Sequence, residues 1–196
     1  MWNFKTPGIP DDLFERDENV PITKEEVRVI ALSKARLNIG STVIDVGCGS
    51  GSITVEAAMQ IAPDGNVFAI DEDENAIRLT QKNVAKFNIS NAEIIHSKAQ
   101  DAISKMPSAD AIFVGGTGGD TYEIIKLAYN KLKSKGRIVI DTILIETIYY
   151  SLKACDELKL QNLDVTQITI GKSRKASSGT MLLSRNPVII IAAEKP

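Results

Sequence analysis

Apolar residues fall in short runs at 42–46, 66–70, 92–97, 109–114 and 137–143, rich in Val and Ile, and these runs read as strands. Stretches with helical spacing separate them, at 51–62, 73–87, 120–133 and 146–158, with a shorter helix before residue 109. Upstream, Thr23-Lys24-Glu25-Glu26 matches a capping box with Thr23 as N-cap, opening a helix that carries Val27, Ile30 and Ala31. Strands that alternate with helices of this length pair in parallel through right-handed crossovers, which predicts a doubly wound α/β sheet with helices on both faces. The tail departs from the alternation. Residues 164–170 and 188–193 read as two strands separated by a long polar stretch, hence an antiparallel pair at the carboxy-terminal edge of a seven-stranded, mostly parallel sheet. One domain over 1–196 is expected, with an irregular amino-terminal segment at 1–22 and a polar loop at 171–180 on the substrate side.

Doubly wound sheets bind ligands beyond the carboxyl ends of their strands. At the first such end, Val43-Ile44-Asp45-Val46-Gly47-Cys48-Gly49-Ser50-Gly51-Ser52 places a carboxylate and three alternate glycines in a strand-to-helix turn. Glycines there let backbone approach a ligand, and the helix that follows presents free N–H groups. The next strand, Phe68-Ala69-Ile70-Asp71, ends in a carboxylate suited to a ribose diol. Together these features describe a nucleoside pocket. A dinucleotide fingerprint requires glycine where this chain has Ser52, and Asp45 would repel a pyrophosphate while suiting a cation. The pattern Asp45-x-Gly47-x-Gly49-x-Gly51 resembles the first motif of class I S-adenosylmethionine-dependent methyltransferases, and the resemblance implies that this cationic cofactor is held by Gly47, Cys48, Gly49, Ser50, Gly51 and Asp71.

Bulk properties narrow the partners. A net charge of −2 and 5% aromatic residues argue against a nucleic-acid surface, and no run is long and apolar enough to span a membrane. The first residues lack the features of a signal peptide, so a cytoplasmic location is expected. Cys48 and Cys155 are too far apart in sequence to suggest a metal or redox pair, and His96 is the sole histidine, so no metal is expected.

Four segments outside the glycine turn carry a finer resemblance: Ile9-Pro10-Asp11-Asp12-Leu13-Phe14; Val20 to Arg28; Val114-Gly115-Gly116-Thr117-Gly118-Gly119; and Gly179-Thr180-Met181-Leu182-Leu183-Ser184-Arg185-Asn186-Pro187-Val188. In this order they resemble the decarboxylating precorrin methyltransferases of cobalamin biosynthesis, over nearly the whole chain. The resemblance implies methyl transfer to carbon 15 of a carboxylate-rich tetrapyrrole, with loss of carbon dioxide from the acetate on carbon 12. It also implies cofactor contacts from Thr23, Gly47 to Gly51, Asp71 and Ala99, and a homotetramer. One departure stands beside Ala99: Lys98 replaces an acidic residue common in relatives, so the adenine amino group must find backbone, Gln100 or water.

Close approach of a flat ligand accounts for Gly115, Gly116, Gly118 and Gly119 around Thr117 better than a connector does, since ordering four glycines is entropically costly. For substrate carboxylates the candidate cations are Lys172, Arg174, Lys175 and Arg185, with Arg185 preferred because Asn186-Pro187 fixes its place. Glu146 and Arg185 are the candidates for a catalytic role. Two other readings share the pocket: a class I tRNA adenine methyltransferase, and a non-catalytic adenosine-binding assembly subunit.

Overall fold

The computed structural model of the chain describes residue 2 and residues 4–196; Met1 and Asn3, within the stretch expected to be irregular, lie outside the described residues. The strands are β1 (Thr42–Val46), β2 (Asn66–Asp71), β3 (Ala92–His96), β4 (Ala109–Val114), β5 (Leu132–Thr142), β6 (Gln161–Ile168), β7 (Gly171–Ala176), β8 (Gly179–Ser184) and β9 (Val188–Glu194). The α-helices are α1 (Glu25–Ala35), α2 (Ser52–Ile61), α3 (Glu74–Lys86), α4 (Ala99–Ile103), α5 (Thr121–Lys131) and α6 (Ile145–Glu157). Seven strands form one sheet in the order β3-β2-β1-β4-β5-β9-β6, parallel except at β9, which runs antiparallel to both β5 and β6.

Both faces of this sheet are buried, so its central strands are apolar at most positions while their side chains still alternate. Ile112 and Val114 of β4 join Ile44, Ile138, Ile140 and Ile191 under α4, α5 and α6. Ala111 and Phe113 turn the other way, to Val43, Val139 and Ile190 beneath α1 and α2. Residues 9–20 wrap over α2 and α3, where Ile9 and Phe14 pack on Val55 and Phe87 and Val20 packs on Ala76 and Leu79. Among the described residues no helix is long and apolar enough to cross a membrane.

Two expectations are corrected here. The polar stretch 171–180 is not a loop: β7 and β8 form a separate two-stranded antiparallel hairpin, in register from Gly171 opposite Ser184 to Ala176 opposite Gly179. Thr23 is not the N-cap of α1. Lys24 occupies that position without a side-chain cap, and the carboxylate of Asp11 accepts the Glu25 N–H at 2.9 Å instead.

Candidate functional site

The carboxyl ends of β1, β2, β4 and β5 meet the start of antiparallel β9 at one end of the sheet, where Thr142 pairs with Ile189. Two cavities open there, of about 940 and 410 Å³, and Gly47, Asp71, Asp73 and Gly116 line both. They form one groove with a carboxylate at its waist. Asp71 sits at that waist because it is the last residue of β2. Its Oδ2 accepts the Gly49 N–H at 2.9 Å and its Oδ1 accepts the Asp73 N–H at 3.0 Å, so both oxygens are fixed and each keeps a second acceptor position.

The glycine turn is close to the groove for a reason the sequence did not disclose. A Cβ on Gly47 would lie 2.6 Å from the Gly115 carbonyl oxygen, one on Gly49 2.8 Å from that of Pro21, and one on Gly51 2.8 Å from the Thr80 side chain. All three also have positive φ. These glycines therefore let the chain pack against itself. Gly47, Cys48 and Gly49 line the larger cavity, whereas Ser50 and Gly51 line neither. Cys48 is no nucleophile: burial pushes its thiol pKa far up, with Asp45 adding to the rise, and its sulfur lies 3.5 Å from the Thr80 hydroxyl.

The amino-terminal segment supplies one wall. Pro21, Ile22, Thr23 and Lys24 line the larger cavity, and the Pro21 carbonyl accepts the Ser50 N–H at 3.1 Å. Across the cavity the Thr23 hydroxyl donates to Asp141 at 3.4 Å. The sequence places Asp141 among the strand-end residues around this cleft without assigning it a role, and it stands one residue before the end of β5. Burial pushes its carboxyl up to about 6, opposed by the Thr23 hydrogen bond.

Asp45, expected to face the ligand's positive charge, is instead walled off. It is 2% exposed, lines neither cavity and accepts a 2.5 Å hydrogen bond from the Thr54 hydroxyl. Burial raises its pKa to about 7, with the Asp141 and Asp71 carboxylates adding to the rise and Thr54 opposing it. Because the folded value lies above the unfolded one of ~3.9, the folded chain holds more protons between those limits, and the stabilisation is lost as pH climbs toward 7. Between pH 5.5 and 8 the unfolding free energy is expected to fall by roughly 2 kcal/mol on this account. Calorimetric melting should show the fall in the native chain and a flatter profile in Asp45→Asn; equal slopes would remove Asp45 as its source.

The remaining candidates divide. Ala99 lines the smaller cavity together with Val46, Ile70 and Ile124, an apolar surface for a flat ring. Lys98 and Gln100 are there too, and Gln100 donates to Asp120 at 2.7 Å. Gly115 faces the larger cavity, Thr117 and Gly118 the smaller, and Gly119 neither. The positive φ of Gly116, Gly118 and Gly119 accounts for those glycines by conformation, not by ligand contact alone. Arg185 lines the larger cavity. Arg174 and Lys175 are exposed on β7, Glu146 is exposed in the first turn of α6, and none of the three lines either cavity. Lys172 is a structural tie, 3.0 Å from Glu25 and 2.5 Å from Glu26.

A sheet in this order, with a glycine turn after β1 and a carboxylate at the tip of β2, defines the class I methyltransferase architecture. Within that class the precorrin methyltransferase domain model matches residues 12–195, and the chain belongs to that family. It is 45% identical, over 197 aligned positions covering 100% of this chain and 99% of the relative, to a probable cobalt-precorrin-6B C(15)-methyltransferase (decarboxylating) of Saccharolobus solfataricus. Among solved structures it resembles a precorrin-6Y C5,15-methyltransferase of Geobacter metallireducens, with TM-score 0.91 and 31% identity, covering 99% of this chain and 100% of that one. It is also similar to a protein described as precorrin 8W decarboxylase from Methanobacterium thermoautotrophicum, with TM-score 0.89 and 34% identity over 94% of this chain and 98% of that one.

Proposed function

We propose that this chain is an S-adenosylmethionine-dependent C-methyltransferase that methylates carbon 15 of cobalt-precorrin-6B and removes the carbon-12 acetate carboxyl as carbon dioxide. The observation that carries this reading is similarity along the entire length to relatives bearing that name, so the substrate-side segments are shared as well as the cofactor half. The groove fits the cofactor in its two parts. Val46, Ile70, Ala99 and Ile124 would hold the adenine, Asp71 at the waist would accept both ribose hydroxyls, and the turn at Gly47 to Gly49 would bound the methionine portion. Asp141, at the tip of β5, takes over from Asp45 as the carboxylate able to face positive charge. When bound, the cofactor supplies an electrophilic methyl group.

The protein's own contribution is chiefly placement. Orienting two reactants is worth up to ~7–11 kcal/mol, and the wall formed by Pro21 to Lys24 against the β5 tip encloses the space in which they meet. No side chain needs to act as an electron sink for decarboxylation, because the conjugated macrocycle accepts the electron pair. Incubation with cobalt-precorrin-6B and the methyl donor is expected to give a product heavier by one methyl group and lighter by carbon dioxide. Mass spectrometry reads this directly, and methylated tRNA in its place would favour the nucleic-acid reading instead.

A further inference from the structure

Two cations reach the larger cavity, Lys24 and Arg185, and neither side chain makes a hydrogen bond among the described residues. The neighbouring cations are already engaged. Arg28 is bound to Glu56 and Asp11, and Lys172 to Glu25 and Glu26. Arg185 Nη1 lies 3.6 Å from Asp11 Oδ2 and 3.8 Å from Glu26 Oε2, too far for hydrogen bonds, and all three atoms are buried without a partner. Lys24 has no carboxylate within ion-pair distance among the described residues. Burial lowers its pKa, with Asp11 opposing and the Arg185 charge adding to the fall.

Arg185 is thus charge-paired without a hydrogen bond and Lys24 has neither, so both keep donors for an anion that enters the cavity. Arg185 stands on the β9 side of the groove, away from the Asp71 carboxylate. It precedes β9, which stands four strand positions from β2 in the sheet, whereas Asp71 ends β2. The Asp71 carboxylate stands at the β2 side of the groove, and Lys24 and Arg185 bring positive charge to its larger cavity. We propose that Lys24 and Arg185 form a two-cation clamp for one carboxylate of the tetrapyrrole, which sets how the macrocycle lies relative to the methyl donor. This assignment rests on the substrate class proposed above. Sequence reasoning found Arg185 but passed over Lys24, whose neighbours in the capping pattern masked it.

The test is an absorbance titration of the full chain with cobalt-precorrin-6B, in the presence of S-adenosylhomocysteine so that no turnover occurs. Lys24→Met and Arg185→Met are each expected to raise Kd about tenfold or more, as loss of a charge-assisted hydrogen bond implies. Lys24→Arg should recover most of the loss, and calorimetric affinity for S-adenosylhomocysteine should change far less than substrate affinity in every variant. Unchanged substrate Kd in both methionine variants overturns the clamp. Should the native chain fail to bind the tetrapyrrole, the substrate assignment falls. The clamp is then judged by acetic anhydride labelling of Lys24, which malonate should slow severalfold beyond chloride at equal ionic strength. Equal labelling rates overturn it.

Discussion

Arg28→Met is expected to destabilise the fold by about 3–5 kcal/mol, the usual consequence of removing one member of a buried ion pair. Arg28 is fully buried, and its guanidinium donates to Glu56 at 2.5 Å, to the Thr23 carbonyl at 2.5 Å, to the Ile9 carbonyl and to Asp11 at 3.4 Å, with its Cζ 4.8 Å above the Phe14 ring. Methionine fills part of the volume but leaves the Glu56 charge with only the Gly8 and Ile9 N–H groups; it orphans the Ile9 carbonyl and leaves the Thr23 carbonyl only the Ser52 hydroxyl at 3.4 Å. The damage extends to function, because these contacts hold the segment whose Pro21 to Lys24 portion walls the cavity. Urea unfolding measures the loss, and limited proteolysis should show cleavage before Thr23 that the native chain resists. A double variant, Arg28→Met with Glu56→Leu, should recover part of the stability by removing the stranded charge. A single-variant loss below about 1 kcal/mol would mean that the segment is held by its apolar anchors Ile9, Phe14 and Val20 alone.

How far the sequence reveals this molecule depends on what each signal measures. Central strands announce themselves because both their faces are buried, so Ala111 to Val114, Ile138 to Ile140 and Ile190 to Ala193 are uninterrupted apolar runs. The β7–β8 hairpin has no such signature. Lys172 to Lys175 are polar on both faces and β8 is exposed throughout, so backbone pairing holds it without a buried stripe for periodicity to detect. Asp45 and Asp71 look alike locally, yet Asp45 stands one residue inside β1, flanked by β2 and β4, while Asp71 is the terminal residue of β2. That single position separates a buried, proton-retaining acid from one open to a ligand. The hub at Arg28 was invisible for a different cause: its partners are main-chain oxygens 5 and 19 residues away and a carboxylate 28 residues away, contacts that no local motif encodes.

Asp71→Ala is expected to weaken S-adenosylhomocysteine binding by about two orders of magnitude, the loss of two hydrogen bonds to a charged acceptor at about 1.5–3 kcal/mol each, less what water recovers. The alanine variant also frees the Gly49 and Asp73 N–H groups from their acceptor, so a disordered turn would produce the same loss by another route. Asp71→Asn separates the two causes. Its amide oxygen still accepts one of those N–H groups and keeps the side chain's shape, but it removes the charge and one acceptor. Ribose recognition then predicts an intermediate loss with melting temperature preserved, whereas turn collapse predicts full recovery of affinity wherever the melting temperature recovers. Asp73→Asn gauges the neighbouring carboxylate, which lines both cavities and caps α3 through the Asn75 N–H at 2.8 Å, and is expected to cost less affinity than Asp71→Ala. Calorimetry on the three variants decides the matter: affinity unchanged in Asp71→Ala removes this carboxylate from the ribose and, with it, the orientation of the cofactor along the groove.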